Sequence, residues 1–210
     1  MIHLWLQRST ELPEPQTGTV LSSAELARAS SFRSARARSR YQTSHAWLHD
    51  CLAALLGRPS FDVPVLIDER GTPSLQGDAF QLSLSHHGDW LALAASPREP
   101  VGVDVLTVPP DAHFVDDTAL VLSPEEISLV KGCPDEHQAG AFAECWVRKE
   151  AYAKMRRTGL TAELACLTLT PRARVPGTSL WSRQFSDAMV ALAIARPVSP
   201  EIVVHEPAFS

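Results

Sequence analysis

A tryptophan, a glutamate and two lysines lie close together in the second half of the chain. Trp146, Glu150 and Lys154 are spaced four residues apart, and Lys149 directly precedes the glutamate. Residues four apart share one face of an α-helix, so the first three are predicted to form a stripe with a carboxylate beside an ammonium group. Such a pair alone is common on helix surfaces and contributes little. Its chemistry therefore depends on which other groups the fold brings to it.

Asp104 offers a second carboxylate on a different element. It lies in the alternating segment 101–105, where strand geometry places Asp104 on the side opposite the valines, together with Gly102 and Leu106. Two carboxylates and nearby lysines suit Mg²⁺, which binds few protein oxygens and completes its shell with water and phosphate oxygens. A lysine can then neutralise the charge of a leaving phosphate. The alternative for Asp104 alone is a solvated residue at a strand end.

Ser85, His86 and His87 come at the end of another alternating segment, just before an apolar run. A serine and a histidine at a strand end are suited to phosphate contacts. A nucleophilic Ser–His pair is the rival interpretation, but no Gly-x-Ser-x-Gly turn surrounds Ser85. A histidine metal site lacks a clear set of partners, and His87 is interpreted as a surface residue.

Hydrophobic spacing predicts the elements that would position these groups in an α+β (α/β) fold. Alternation at Ile2, Leu4 and Leu6 predicts a first strand, and Ser22 precedes a predicted helix. A second helix is predicted to end at Gly57. The further predicted strands are 64–68, 80–85, 90–95, 101–105, 167–169, 180–185 and 189–195, and the further helices begin at Pro124 and span about 138–155.

The second half of the chain repeats features of the first. Segment 186–193 resembles segment 85–94, which we interpret as a weak internal duplication; the alternative is that two apolar strands look alike by chance. The duplication predicts two similar α/β halves, residues 1–105 and residues 106–210, the second carrying the helix with Trp146. Clefts between such halves are common ligand sites.

Composition restricts the classes of function. The 210 residues are 45% hydrophobic and 20% charged, which is typical of a globular protein, and the net charge of -5 argues against a nucleic-acid partner. The first residues lack the pattern of a secretory signal, and no apolar run approaches the roughly 18–20 residues of a membrane span. The four cysteines lack the close spacing of zinc or disulfide frameworks. We therefore expect a cytoplasmic protein with reduced, buried thiols and no membrane partner.

Taken together, the three segments resemble the 4′-phosphopantetheinyl transferases of the surfactin-synthetase-activating (Sfp) type. That family shows Ser-His before an apolar strand, then Gly-(Ile/Val)-Asp-x-Glu, then Trp-x-x-Lys-Glu-(Ala/Ser)-(Tyr/Phe)-x-Lys and Gly-x-Gly-Leu. Residues 85–86, 102–104 and 146–154 match in order and spacing, and the resemblance covers about residues 30–160. It implies a fold of two similar halves in a pseudo-twofold arrangement.

The resemblance also implies an activity and its participants. A member of this family transfers 4′-phosphopantetheine from coenzyme A to a serine of an apo carrier protein (acyl, peptidyl or polyketide) and releases 3′,5′-ADP. By that resemblance, Asp104 and Glu150 would bind Mg²⁺, and Glu150 would help to deprotonate the serine. Lys154, with Lys149 nearby, would stabilise or protonate the leaving phosphate. Two halves within one chain would form the cleft, so a monomer is expected.

The same resemblance assigns residues to coenzyme A. Ser85 and His86 would contact its phosphates, with His86 at the 3′-phosphate, and Lys154 would also face the cofactor. The arginines at positions 33 to 40, among them Arg40, would complement its negative charge.

The chain departs from the family pattern at one expected metal ligand. Leu106 stands where the family has a second acid, on the same strand face as Asp104. A water can replace that ligand, and Glu126, which resembles another family acid, is predicted to compensate as a metal ligand. The alternative is a catalytically degenerate homologue that binds coenzyme A or a carrier protein.

Smaller departures predict altered cofactor contacts. Thr72 replaces the lysine of a Gly-Lys-Pro segment, and His45 and His49 stand where arginines are usual on the first long helix. Arg157 replaces the first glycine of Gly-x-Gly-Leu.

Overall fold

The computed structural model describes residues 1–13, 20–69, 71–77, 80–108, 121–159, 161–196 and 201–206. They form a mixed α+β fold, as predicted. The strands are β1 (Ile2–Arg8), β2 (Val65–Ile67), β3 (Pro73–Leu75), β4 (Gln81–His87), β5 (Trp90–Ser96), β6 (Val101–Thr107), β7 (Ser179–Phe185), β8 (Ala188–Ile194) and β9 (Ile202–His205). The α-helices are α1 (Ser23–Ser31), α2 (Ala35–Leu56), α3 (Pro124–Lys131), α4 (Asp135–Arg156) and α5 (Ala162–Cys166).

Two antiparallel units share the same pattern of strand pairing. In the first, β5 lies between β4 and β1; in the second, β8 lies between β7 and β6. Each central strand is therefore the second strand of a hairpin and pairs with a strand from earlier in the chain. This repetition agrees with the predicted similarity of the halves. The predicted boundary at 105/106 falls inside β6, which pairs with the second unit, and the division into 1–105 and 106–210 stays a prediction.

The two larger sheets share one core, and each is covered on its other face by a long helix. Alternate residues of β1, β5, β6 and β8 meet in the shared core, and Leu4, Val103 and Leu192 there are fully buried. Leu48 of α2 packs on the other face of the first sheet. Val147 of α4 packs on the other face of the second. The layers are therefore helix, sheet, sheet, helix, and the edges of the two sheets meet between the helices.

The helix ends follow the predicted signals. Ser22 caps α1, and its hydroxyl accepts from the amide of Glu25, whose carboxylate accepts from the amide of Ser22 in return. Helix α2 ends at Gly57, whose φ of 64° is the left-handed conformation that glycine adopts without strain. Helix α3 begins at Pro124, as predicted.

The predicted strand at 167–169 is wrong. These residues follow α5, and side chains rather than a neighbouring strand satisfy their backbone groups. The Leu169 carbonyl accepts from Nε of Arg148 at 2.7 Å, and its amide donates to Oε1 of Glu126 at 2.7 Å. Leu169 is thus buried without joining a sheet.

Expectations drawn from composition are met in part. Cys51 and Cys145 are free and buried as predicted, whereas Cys133 is partly exposed and Cys166 is exposed. Among the described residues, no helix is both long and apolar enough to cross a membrane.

Candidate active site

A cleft of about 710 Å³ opens where the two sheets meet, lined by residues of α2, β4, β6 and α4. Side chains join β4 to β6 at this junction. Oγ of Ser83 accepts from the amide of Val103 at 3.0 Å, and Nδ1 of His87 accepts from the amide of Thr107 at 3.1 Å. The cleft therefore lies between the two pairing units, where a ligand site was expected.

Gly102 allows α4 to lie directly on β6. A Cβ at this position would come within 2.0 Å of the Ala151 carbonyl oxygen and 2.5 Å of the Met155 amide nitrogen. Asp104 follows two residues later on the same strand face, as the alternation predicted. The close contact at Gly102 thus carries Asp104 towards the helix that bears Glu150.

The predicted stripe on α4 faces the cleft. Trp146, Glu150 and Lys154 all line it, together with Ser85 and Asp104. The sequence-based prediction that these groups from three elements would converge is therefore confirmed in position, while their roles stay predictions.

Lys154 connects the three elements. Its Nζ donates to Oδ1 of Asp104 at 2.7 Å, to Oγ of Ser85 at 2.8 Å and to the carbonyl of Val103 at 3.1 Å. Ser85 in turn donates to Oδ1 of Asp104 at 2.6 Å. The serine hydroxyl is thus bonded to a carboxylate and an ammonium group, which does not favour the Ser–His nucleophile.

Glu150 and Asp104 are close enough to repel each other. Partial burial raises the pKa of Glu150, the negative charge of Asp104 raises it further, and Lys154 opposes the shift. A cation between the two carboxylates would relieve this repulsion. Within the described residues no group of three or more histidine, cysteine, aspartate or glutamate side chains is placed to hold a metal ion. Two carboxylates fit Mg²⁺, which takes its other ligands from water and phosphate.

Leu106 lines the cleft on the strand face that carries Asp104. It is partly buried and packs against two apolar clusters that include Val147 and Cys145 of α4. The position where the family pattern has an acid therefore contributes an apolar surface.

The structure does not bring Lys149 or Glu126 to the cleft. Their side chains form a buried ion pair at 3.0 Å, with exposures of 1% and 0%. Lys149 also donates to the carbonyls of Leu164, Ala165 and Leu167. Each residue turns an α-helix by about 100°, so Lys149 points away from the stripe that carries Glu150. The predicted catalytic role of Lys149 and the predicted metal role of Glu126 are corrected to a structural pair.

His86 and Arg40 lie together at one rim. His86 lines the cleft, and Nη2 of Arg40 donates to the Gly88 carbonyl at 2.9 Å. Partial desolvation lowers the pKa of His86, and the charges of Arg40 and Lys154 lower it further. His87 is exposed, as predicted.

Sequence reasoning missed Glu25. This residue is fully buried, and its carboxylate lies 2.9 Å from Nδ1 of His45 and 3.1 Å from Nε2 of His49. Burial alone would raise the pKa of Glu25, but the hydrogen bonds from His45 and His49 hold it well below its usual range. His45 lines the cleft. The sequence signal of Glu25 is a helix-capping pattern, which gives no hint of the two histidines.

Arg28 and Arg157 are two further basic residues that line the cleft. A Cβ on Gly71 would lie 2.8 Å from Nη2 of Arg28, so this guanidinium covers the turn that contains Thr72. Arg28 thus brings a cation near the position where the family pattern has lysine. Arg157 adopts a left-handed φ of 56°, which explains why glycine suits this position in the family pattern. Leu160 of that pattern lies outside the described residues.

Comparison with known proteins places the chain in a family. A sequence model of the 4′-phosphopantetheinyl transferase superfamily matches residues 100–195. The 4′-phosphopantetheinyl transferase HetI of Nostoc is 31% identical over 193 residues, which cover 86% of this chain and 80% of that protein. The 4′-phosphopantetheinyl transferase AcpT of Salmonella typhi is 33% identical over 104 residues, 49% of this chain and 54% of that protein. The chain belongs to the 4′-phosphopantetheinyl transferase superfamily.

Proposed function

We propose that this protein transfers 4′-phosphopantetheine from coenzyme A to a serine of an apo carrier protein and releases 3′,5′-ADP. One observation carries the proposal: Asp104, Glu150 and Lys154 line a single cleft at the junction of the two pairing units. Membership of the superfamily supports the same reaction.

The carboxylates of Asp104 and Glu150 would hold Mg²⁺ against the diphosphate of coenzyme A. When bound, the ion supplies positive charge that balances the diphosphate oxygens. Ser85, His86 and Arg40 lie along the same cleft or its rim and would contact the remaining phosphate oxygens. Holding the diphosphate in one orientation contributes much of the acceleration in phosphoryl transfer.

Glu150 is suited to accept the proton of the attacking serine. Its carboxylate lines the cleft, and the proton can pass to it directly or through one water. The serine oxygen forms a bond to the β-phosphorus, and the bond from that phosphorus to the bridging oxygen breaks. Lys154 would stabilise or protonate the leaving 3′,5′-ADP phosphate.

The test is product formation. The protein is incubated with coenzyme A, Mg²⁺ and several apo carrier proteins, and intact-mass spectrometry detects the addition of one phosphopantetheine. A carrier variant with its acceptor serine replaced by alanine is the matched control. We expect the mass gain on at least one carrier and none on the control.

An absence of mass gain on every carrier, with coenzyme A still bound, would overturn the proposal. It would favour the degenerate homologue, for which Leu106 in the metal-facing position is the specific observation.

We also propose that the protein acts as a cytoplasmic monomer. Light scattering at assay concentration tests the monomeric state.

A further inference from the structure

Two serines of β4 reach the edge of β6 that carries Asp104. Oγ of Ser83 accepts from the amide of Val103 at 3.0 Å. Oγ of Ser85 donates to Oδ1 of Asp104 at 2.6 Å. Both serines are buried, with exposures of 5% and 8%. Because residues two apart on a strand share one face, β4 presents both hydroxyls to adjacent positions of β6.

The backbone just before Asp104 is held on both sides. The amide of Val103 donates to Ser83, and the carbonyl of Val103 accepts from Nζ of Lys154 at 3.1 Å. Val103 is fully buried, so an amide that lost its acceptor here would be unfavourable. Ser83 therefore fixes the position of the strand at the residue that precedes the carboxylate.

The two oxygens of the Asp104 carboxylate have different surroundings. Oδ1 accepts from Oγ of Ser85 at 2.6 Å and from Nζ of Lys154 at 2.7 Å. The hydrogen bonds that Asp104 accepts from side chains of the described residues all reach this oxygen. Two donors on one oxygen fix the rotation of the carboxylate, which leaves Oδ2 as the oxygen that can meet a cation.

The hydroxyl of Ser85 is fully engaged within the protein. It has one proton to donate, which goes to Asp104, and its oxygen accepts from Nζ of Lys154 at 2.8 Å. An ionised phosphate oxygen can only accept, so Ser85 would have to leave Asp104 in order to donate to a phosphate. The geometry therefore favours a role for Ser85 on the carboxylate.

We propose that Ser83 and Ser85 are positioning residues for Asp104. Ser83 fixes the strand before the carboxylate, and Ser85 turns the carboxylate so that Oδ2 meets the cation. The inference rests on the proposed function, because it takes Asp104 as a metal ligand. It also narrows that function, because Ser85 serves the metal side of the cleft instead of a phosphate of coenzyme A.

Ser182 offers a matched control. Its hydroxyl donates to Oε1 of Glu144 at 2.7 Å and accepts from Nη1 of Arg148 at 3.0 Å, so it joins a carboxylate to a cation as Ser85 does. Ser182 lies on β7, and these three residues are not among the described residues that line the cleft. Replacing Ser182 by alanine removes a comparable pair of bonds without touching Asp104.

The experiment measures cation binding directly, with Mn²⁺ as the probe and no carrier protein present. Electron paramagnetic resonance reports free Mn²⁺ as the protein saturated with coenzyme A is titrated, with coenzyme A alone as the blank. Calorimetry in EDTA reports the affinity for coenzyme A without metal. We expect Ser85→Ala to weaken Mn²⁺ binding about 10–100-fold and to leave coenzyme A affinity in EDTA within about twofold of wild type. Ser83→Ala should weaken Mn²⁺ binding about fivefold, the effect of one hydrogen bond.

Two further variants separate positioning from a general loss of structure. Ser85→Thr keeps the hydroxyl and should bind Mn²⁺ more tightly than Ser85→Ala. Ser182→Ala should leave both affinities unchanged, whatever its effect on the unfolding temperature.

Wild-type Mn²⁺ affinity in Ser85→Ala would overturn the inference. A loss of coenzyme A affinity in EDTA as large as the loss of Mn²⁺ affinity would also overturn it, since that result would assign Ser85 to a phosphate. An equal weakening of Mn²⁺ binding in Ser182→Ala would reduce the serines to a structural role. If no carrier gains mass in the transfer assay while the variants bind Mn²⁺ as expected, the proposed function fails and this inference stands. Wild-type protein that bound no Mn²⁺ would contradict both.

Discussion

Two neighbouring residues of α4 belong to electrostatic environments of opposite kind. Lys149 meets Glu126 and three carbonyl oxygens, so every charge in that buried cluster has a partner. Glu150 is partly buried near Asp104, and the burial and then the like charge raise its pKa, while Lys154 opposes the shift. The first cluster holds the segment around α5 onto the helix. In the second, Lys154 only partly offsets the repulsion between the two carboxylates.

The comparison separates charged residues that stabilise the fold from charged residues that are candidates for the reaction. Both residues belong to one sequence motif, and the motif alone assigned both to the reaction. Structural ion pairs are satisfied within the protein, whereas perturbed groups in clefts are candidates for function. By that criterion, Glu150 belongs to the site and Lys149 to the framework.

Glu150→Gln is the strongest test of the cleft side. We expect the rate of phosphopantetheine transfer to fall by about 10²–10⁴-fold, because the variant loses both a proton acceptor and a metal ligand. Rates come from the intact-mass assay, with circular dichroism to verify the fold. A variant that retained the full rate would remove Glu150 from the site.

Lys149→Met is the matching test of the buried side. It leaves the Glu126 carboxylate buried without its cation, and we expect the free energy of unfolding to fall by about 3–5 kcal/mol. Urea denaturation measures the change. Lys131→Met, at an exposed position in the last turn of α3, serves as the control and should stay within about 0.5 kcal/mol of wild type. A loss no larger than that of the control would show that the pair does not stabilise the fold.

Glu150→Gln should be more stable than wild type at neutral pH, in contrast to Lys149→Met. The folded state raises the pKa of Glu150, so its contribution to stability is present below the unfolded pKa and is lost as pH rises through the folded pKa. At pH 7 to 8 the ionised side chain is unfavourable, and the glutamine variant should unfold at a higher temperature than wild type. The difference should shrink at acid pH. A variant less stable than wild type at pH 8 would contradict the repulsion.

Leu106→Glu should give the smallest effect. It restores an acid on the strand face of Asp104, and we expect activity at low Mg²⁺ to be kept or raised, at some loss of the packing of Leu106 against the apolar cluster of Cys145. A magnesium titration of the initial rate measures it, with Leu106→Gln as the uncharged control. A strong loss of activity in the glutamate variant alone would indicate a role for the leucine that the geometry does not show.

The elements near the cleft were predictable because their signals are local. Strand alternation placed Asp104 opposite the valines, and a spacing of four residues placed Trp146, Glu150 and Lys154 on one helical face. The burial of Lys149 in an ion pair was not predictable, because it depends on which side of α4 the segment after α5 packs against. The strand expected at 167–169 failed for the same reason: distant side chains, such as Arg148, replace the neighbouring strand.

The residues around His45 show a second limit of prediction from the sequence. Arg28 carries no motif, and Glu25 is explained locally as part of a helix cap. Their meeting with His45 depends on how α1 packs on α2, which spacing along the chain does not reveal. The sequence did identify His45 as a departure from the family pattern, but it did not identify the residue that orients it.

Lys154 links α4 to the edges of both sheets, because its ammonium group donates hydrogen bonds to Ser85, Val103 and Asp104. A phosphate that captures this ammonium group must draw it away from some of these three oxygens. Measured affinity then reports the difference between two sets of bonds, not the full strength of the new ones. One amine is thus shared between holding α4 against both sheet edges and binding the phosphate of the reactant.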